Sequence, residues 1–125
     1  MPIKLSATAP VLVASDVGAT AEWYRAVLGF QASLFPDHPP FAFAILCRDD
    51  VEIMIRRCGP SGPQRPDGDW NVYIRMTGVR ELHAELGGSA IIVEPLQTKE
   101  YGCVELTLED PNGFRLVFSE EARAT

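Results

Sequence analysis

The sequence predicts an α+β fold: two βαβββ modules forming a curved sheet that encloses a cleft. Three observations predict it. Pro10 to Phe30 reads as a short strand, a capped helix and the start of a second strand. A shortened version returns at Asn71 to Ile92. Each half then closes on strands with alternating apolar residues, Phe41 to Arg57 and Tyr101 to Phe118. The expected organisation is a single domain over 1–125, with modules at 9–57 and 70–120 joined by a connecting loop at 58–69.

The first module begins after an arm, Met1 to Thr8. Pro10 lacks an amide hydrogen and suits a strand start or hinge. In Val11 to Ala14, Leu12 and Ala14 share one face, and Val11 and Val13 the other. Ser15 or Asp16 can cap the following helix. Val17, Ala21, Tyr24 and Leu28 recur at helical spacing, widened by Trp23 and Val27, and Gly29 stands where a glycine ends a helix. Phe30 to Phe35 reads as a strand and Pro36 to Pro40 as a loop. A strand from Phe41, a turn at Arg48-Asp49-Asp50 and a strand at Val51 to Arg57 complete the half.

The segment from Cys58 to Asp69 is rich in Gly and Pro, hence a loop. The second module places strands at Asn71 to Met76, Ala90 to Val93, Tyr101 to Leu108 and Phe114 to Phe118. Val79, Leu82 and Leu86 mark a short helix ending at Gly87-Gly88. Pro95 to Lys99 is expected as a loop, Asp110-Pro-Asn-Gly113 as a tight turn, and Glu120 to Thr125 as a frayed tail.

Superposing the halves puts Leu12 on Ile74, Ala14 on Met76 and Tyr24 on Leu86, and lays Asp50 to Met54 against Gly113 to Val117. One helix covers one face of a four-stranded sheet. The other face needs a second sheet or a ligand.

Composition narrows the function. The 125 residues are 46% hydrophobic and 22% charged, ordinary values for a globular domain. A net charge of −6 and a single basic doublet, Arg56-Arg57, argue against nucleic acid as a partner. No apolar run reaches the ~18 residues of a membrane span, and Met1 to Leu5 lacks the apolar core of a signal peptide. Three cysteines (Cys47, Cys58, Cys103) without a CxxC pair fit free thiols in a reducing, cytoplasmic setting.

The Ser-Asp-Val opening at 15–17, Trp-Tyr-Arg-Ala-Val-Leu-Gly-Phe at 23–30 and Asp-Pro-Asn-Gly-Phe-Arg-Leu-Val-Phe at 110–118 resemble the glyoxalase/bleomycin resistance/dioxygenase group, the vicinal oxygen chelate superfamily. The resemblance runs from about Ala9 to Glu120. It implies four metal-ligand positions, which fall here on Ala9, Met54, Asn71 and Val117. Alanine and valine have no donor atom, methionine is a soft thioether, and asparagine is one weak neutral ligand. Glu52 and Arg115 stand nearby but are expected on the opposite face of their strands. His38, in the Pro-rich loop, and His83, on the second helix, lack ligand partners. No metal and no other cofactor is therefore expected.

A metal-free member of this group resembles the bleomycin resistance branch, which implies sequestration of a small molecule at a homodimer interface. Pro10 matches a hinge from which N-terminal strands are exchanged, and Tyr101-Gly102 matches a Trp-Gly pair lining the ligand groove. The expected ligand is an antibiotic or an aromatic or cationic metabolite. Candidate contacts are Phe35, Phe41, Phe43, Trp70, Tyr73 and Tyr101, with Asp37, Asp67, Asp69 and Glu100 at the cleft mouth. The alternative is a metal-dependent lyase, isomerase or dioxygenase whose ligands are displaced. Glu52 and Glu105 are general-base candidates only if buried near a substrate, and Cys103 has no evident histidine partner.

Overall fold

The architecture is that of a computed structural model of the chain, which describes residues 2–60, 62 and 70–122. The first half runs β1 (Val11–Ala14), α1 (Val17–Leu28), β2 (Gln31–Phe35), β3 (Phe43–Arg48) and β4 (Val51–Arg57). Its sheet has the order β1-β4-β3-β2, with β1 parallel to β4 and the other pairs antiparallel. The second half repeats this with β5 (Val72–Arg75), α2 (Val79–Leu86), β6 (Ile91–Thr98), β7 (Cys103–Glu109) and β8 (Arg115–Glu121), in the order β5-β8-β7-β6. Two four-stranded mixed sheets, each with one helix, make the fold α+β. No helix among the described residues is long and apolar enough to cross a membrane.

The register matches the expected superposition of the halves. Val11 pairs with Met54 in the first sheet, and Tyr73 pairs with Val117 in the second. Leu12 likewise opposes Ile55, and Ile74 opposes Phe118. These pairs of one sheet thus have their counterparts at the matching positions of the other.

Local chemistry explains the helices. The Asp16 carboxylate accepts a hydrogen bond from the Ala19 amide at 2.9 Å, and Gly29 closes α1 at φ 71°, where its amide binds the Arg25 carbonyl. The Arg48 guanidinium donates to the last-turn carbonyl of Leu28 at 2.7 Å. Val17, Thr20, Ala21, Tyr24 and Leu28 are the buried stripe of α1, packed over Leu12, Ala14, Ala44, Leu46, Ile53 and Ile55. Burying each large aliphatic side chain contributes about 1.5–3 kcal/mol. Helix α2 starts at Gly78, which has no side chain to cap with. Glu120 supplies the cap from β8, its Oε1 accepting from the Gly78 and Val79 amides at 3.0 Å each.

Four expectations need correcting. The segment 95–98 is strand, because β6 continues through Pro95 to Thr98. It is an edge strand with irregular register between Ile92 and Gln97, where a residue without an amide hydrogen is tolerated. Glu120 and Glu121 are strand rather than tail, held by pairing with Val104 and Cys103. Two strands begin later than expected: β3 at Phe43, leaving Phe41 outside it, and β7 at Cys103, leaving Tyr101 and Gly102 in the turn before it. Of the expected connecting loop and tail, residues 61, 63–69 and 123–125 lie outside the described residues, as does Met1.

A tyrosine-ringed carboxylate on the helix-free face of the second sheet

Strand alternation divides the second sheet. Val104, Leu106 and Leu108 of β7 and Leu116 and Phe118 of β8 are buried in the core cluster that also takes in α2. Cys103, Glu105, Thr107, Val117, Ser119 and, on β5, Tyr73 point the other way. The register brings three of them together, since Glu105 opposes Ser119 and Tyr73 opposes Val117, two residues before Ser119 on β8.

Glu105 is the centre of this face. It is 1% exposed, yet its partners among the described residues are hydroxyls alone. Its Oε2 accepts from Tyr73 at 2.5 Å and from Ser119 at 3.0 Å, and its Oε1 accepts from Tyr101 at 2.6 Å. Ser119 and Tyr73 also touch at 2.8 Å. Burial pushes the Glu105 carboxyl up, but the Tyr101, Tyr73 and Ser119 donors and the charge of Lys99 outweigh it, so the group ionises more readily than usual. Tyr73 responds in reverse. Its bond to Glu105 holds its proton, raising its pKa. Tyr101 is raised further, first by desolvation of its hydroxyl and then by the same carboxylate.

Aromatic surface extends outward from this anchor. The Trp70 and Tyr73 rings lie 5.3 Å apart at 45°. The Trp70 and Tyr101 side chains are both largely exposed. The loop under Tyr101 is pinned by backbone bonds, Gly102 to the Lys99 carbonyl at 3.0 Å and Ala122 to the Gly102 carbonyl at 2.8 Å, with Gly102 at φ 88°.

The other expected contacts divide. Phe35 and Phe43 oppose each other on the helix-free face of the first sheet, ring centroids 6.3 Å apart. Phe41 lies instead against α1, within van der Waals reach of Gly18. Asp37 is exposed and holds His38 at 3.0 Å. Glu100 is exposed. Asp67 and Asp69 lie outside the described residues. Pro10 joins the sheet through its carbonyl, which accepts from the Met54 amide at 2.9 Å.

The metal-ligand positions implied by the resemblance do not fit an ion. The Asn71 Oδ1 already accepts the Arg115 amide at 2.7 Å. Val117 is fully buried, with no donor atom. Ala9 and Met54 line a concavity under the N-terminal arm and offer between them one thioether. The expectation for Glu52 and Arg115 was wrong: each stands two residues from its reference position, and a period of two returns it to the same face. Neither supplies a site, because Glu52 is exposed beside Cys47 and Arg115 faces Glu109 at 3.7 Å. No group of three or more His, Cys, Asp or Glu side chains able to hold a metal ion occurs among the described residues.

A groove of about 500 Å³ lies elsewhere, between the two halves, bordered by Leu28, Phe30, Asp50, Met76, Leu82 and Phe118. None of the expected ligand contacts lines it. The tyrosine-ringed face is the better candidate on chemical grounds, because among the described residues it alone joins exposed rings to a buried charge.

No family model matches the chain, and no curated protein matches it in sequence. Solved structures do match. TioX from Micromonospora sp. ML1 is similar at 25% identity and a TM-score of 0.79, covering 93% of this chain and 98% of that one. A glyoxalase-related enzyme from Clostridium phytofermentans is similar at 15% identity and a TM-score of 0.77, covering 95% and 97%. A member of the glyoxalase/bleomycin resistance protein/dioxygenase superfamily from Sphaerobacter thermophilus is similar at 17% identity and a TM-score of 0.73, covering 94% and 98%. The register of the halves and these matches lead to one conclusion: the chain has the fold of the glyoxalase/bleomycin resistance protein/dioxygenase superfamily.

Proposed function

We propose that the protein is a metal-independent binder of small molecules, of the bleomycin resistance type, which sequesters an antibiotic or an aromatic or cationic metabolite without transforming it. The observation that carries this reading is the Trp70, Tyr73 and Tyr101 surface built on the buried Glu105. Stacking on each ring contributes about 1–3 kcal/mol, and a cation over a ring about 0.5–2 kcal/mol. A few such contacts reach roughly micromolar affinity after the cost of association. The ionised Glu105 favours binding over proton abstraction, because a carboxylate with a lowered pKa is a weak base.

The working unit in this reading is a cytoplasmic homodimer. The arm before Pro10 supports this, since Ile3 and Leu5 are each 93% exposed on a segment with no strand of its own.

The test is a titration of Trp70 fluorescence with bleomycin and other planar cationic compounds, followed by recovery of the ligand. Quenching that saturates, disappears in Trp70→Phe and returns the ligand chemically unchanged is expected. Stoichiometric metal in protein purified without chelator, or a modified ligand, would establish the enzyme reading instead.

A further inference from the structure

We propose that Glu105 and the rings above it form a seat for an organic cation, and that Arg75 holds this seat in the free protein. This rests on the binding site proposed above and names the chemistry it selects.

The first support is an uncompensated charge. Glu105 is enclosed by three neutral hydroxyls and has no ion pair among the described residues. Lys99, whose charge it feels, has its ammonium 3.3 Å from Glu94. A buried anion without a cationic partner favours any ligand that brings one. The second support is the direction in which the field emerges. Tyr73 and Tyr101 both donate to this carboxylate, so their rings gain electron density and become stronger cation acceptors.

The third support is that a cation already sits there. The Arg75 guanidinium carbon lies 5.5 Å from the centre of the Tyr73 ring. Arg75 stands two residues from Tyr73 on β5, and so on the same face. It is exposed, and this ring is the partner that its guanidinium finds among the described residues. Arginine stacks readily on aromatic faces, but here its long stem is free to leave. A ligand ammonium or amidinium would displace it at little cost, so Arg75 acts as an internal competitor.

The experiment is equilibrium dialysis of the full chain with benzyltrimethylammonium and with its neutral isostere, neopentylbenzene. The cation is expected to bind at least tenfold more tightly. Arg75→Gln, an exposed change that leaves folding intact, should tighten the cation two- to tenfold and tighten the isostere less, since the isostere gains the vacated ring face but no charge. Glu105→Gln, checked for folding by circular dichroism, should remove the preference. Equal affinity for the two probes in the wild-type chain overturns the cation seat and leaves small-molecule binding standing. Cation affinity unaltered in Arg75→Gln overturns the competitor role. Binding of neither probe overturns this inference and the underlying site together.

Discussion

The Tyr24 hydroxyl donates to Asp110 Oδ2 at 2.7 Å across 86 positions of sequence, tying the helix of the first half to the turn of the second. Asp110 also organises its own turn, its Oδ1 accepting from the Asn112 and Phe114 amides at 2.8 and 3.0 Å. Asn112 returns the link by donating to Thr20 at 2.9 Å. Burial raises the Asp110 carboxyl, against the lowering effect of these donors. Tyr24 is itself raised well above the ordinary phenol range, first by burial and then by Asp110.

Tyr24→Phe should therefore destabilise the chain by about 1–3 kcal/mol, since it strands a buried acceptor. Chemical denaturation measures this. A double cycle with Asp110→Asn should give a coupling of about 0.5–3 kcal/mol. Full additivity would show that the contact does not link the halves energetically.

Glu120→Ala should lower stability by about 0.5–2 kcal/mol, because α2 depends on that side chain for its cap. Amide exchange at Gly78 and Val79 should quicken relative to the middle of β8. An unaltered exchange rate there would mean that the cap contributes nothing.

The acid response of Glu105 has a definite sign. Its folded pKa lies below the ordinary value, so its contribution is complete above the unfolded pKa of about 4.3 and disappears as pH falls through the folded value. Urea midpoints of the wild type and Glu105→Gln should differ most near neutrality and draw together as pH falls below the unfolded value and through the folded one. A gap that stays constant down to pH 2 would contradict the assignment.

Gly29→Ala should cost about 1 kcal/mol or more. The position is left-handed, and an added Cβ would come 3.3 Å from the Arg48 guanidinium. Thermal unfolding reads the loss. Arg48→Ala in the same chain should relieve the steric part and leave the backbone part.

Chelator should leave the melting temperature unchanged within the error of the scan, given the donor set at Ala9, Met54, Asn71 and Val117. A fall of several degrees with EDTA, restored by a divalent ion, would place a metal site elsewhere.

Much of the fold was legible because local rules and tertiary context agree. Asp16 and Gly29 bracket α1, and the apolar spacing of Val79, Leu82 and Leu86 locates α2. The offset between halves set which residues pair. Pro95 misled because a proline mid-pattern reads as a break, and only the sheet order shows β6 to be an edge. The site was half legible. Trp70, Tyr73 and Tyr101 were expected as contacts, but their common anchor was not. The alternation of Val104, Leu106 and Leu108 puts Glu105 on the opposite face, yet nothing local says that this face is closed. The closure comes from Tyr73 and Ser119 on two other strands, and from Tyr101 in the turn that precedes β7.

Strand β6, eight residues long, carries Pro95 within an irregular ladder. An unbroken outer strand of that length would offer a row of amides and carbonyls to any passing chain. With one amide hydrogen missing and its neighbours out of step, β6 is a poor template for a foreign strand. The same irregularity that hides it from sequence pattern makes it a poor edge for fibrous self-association.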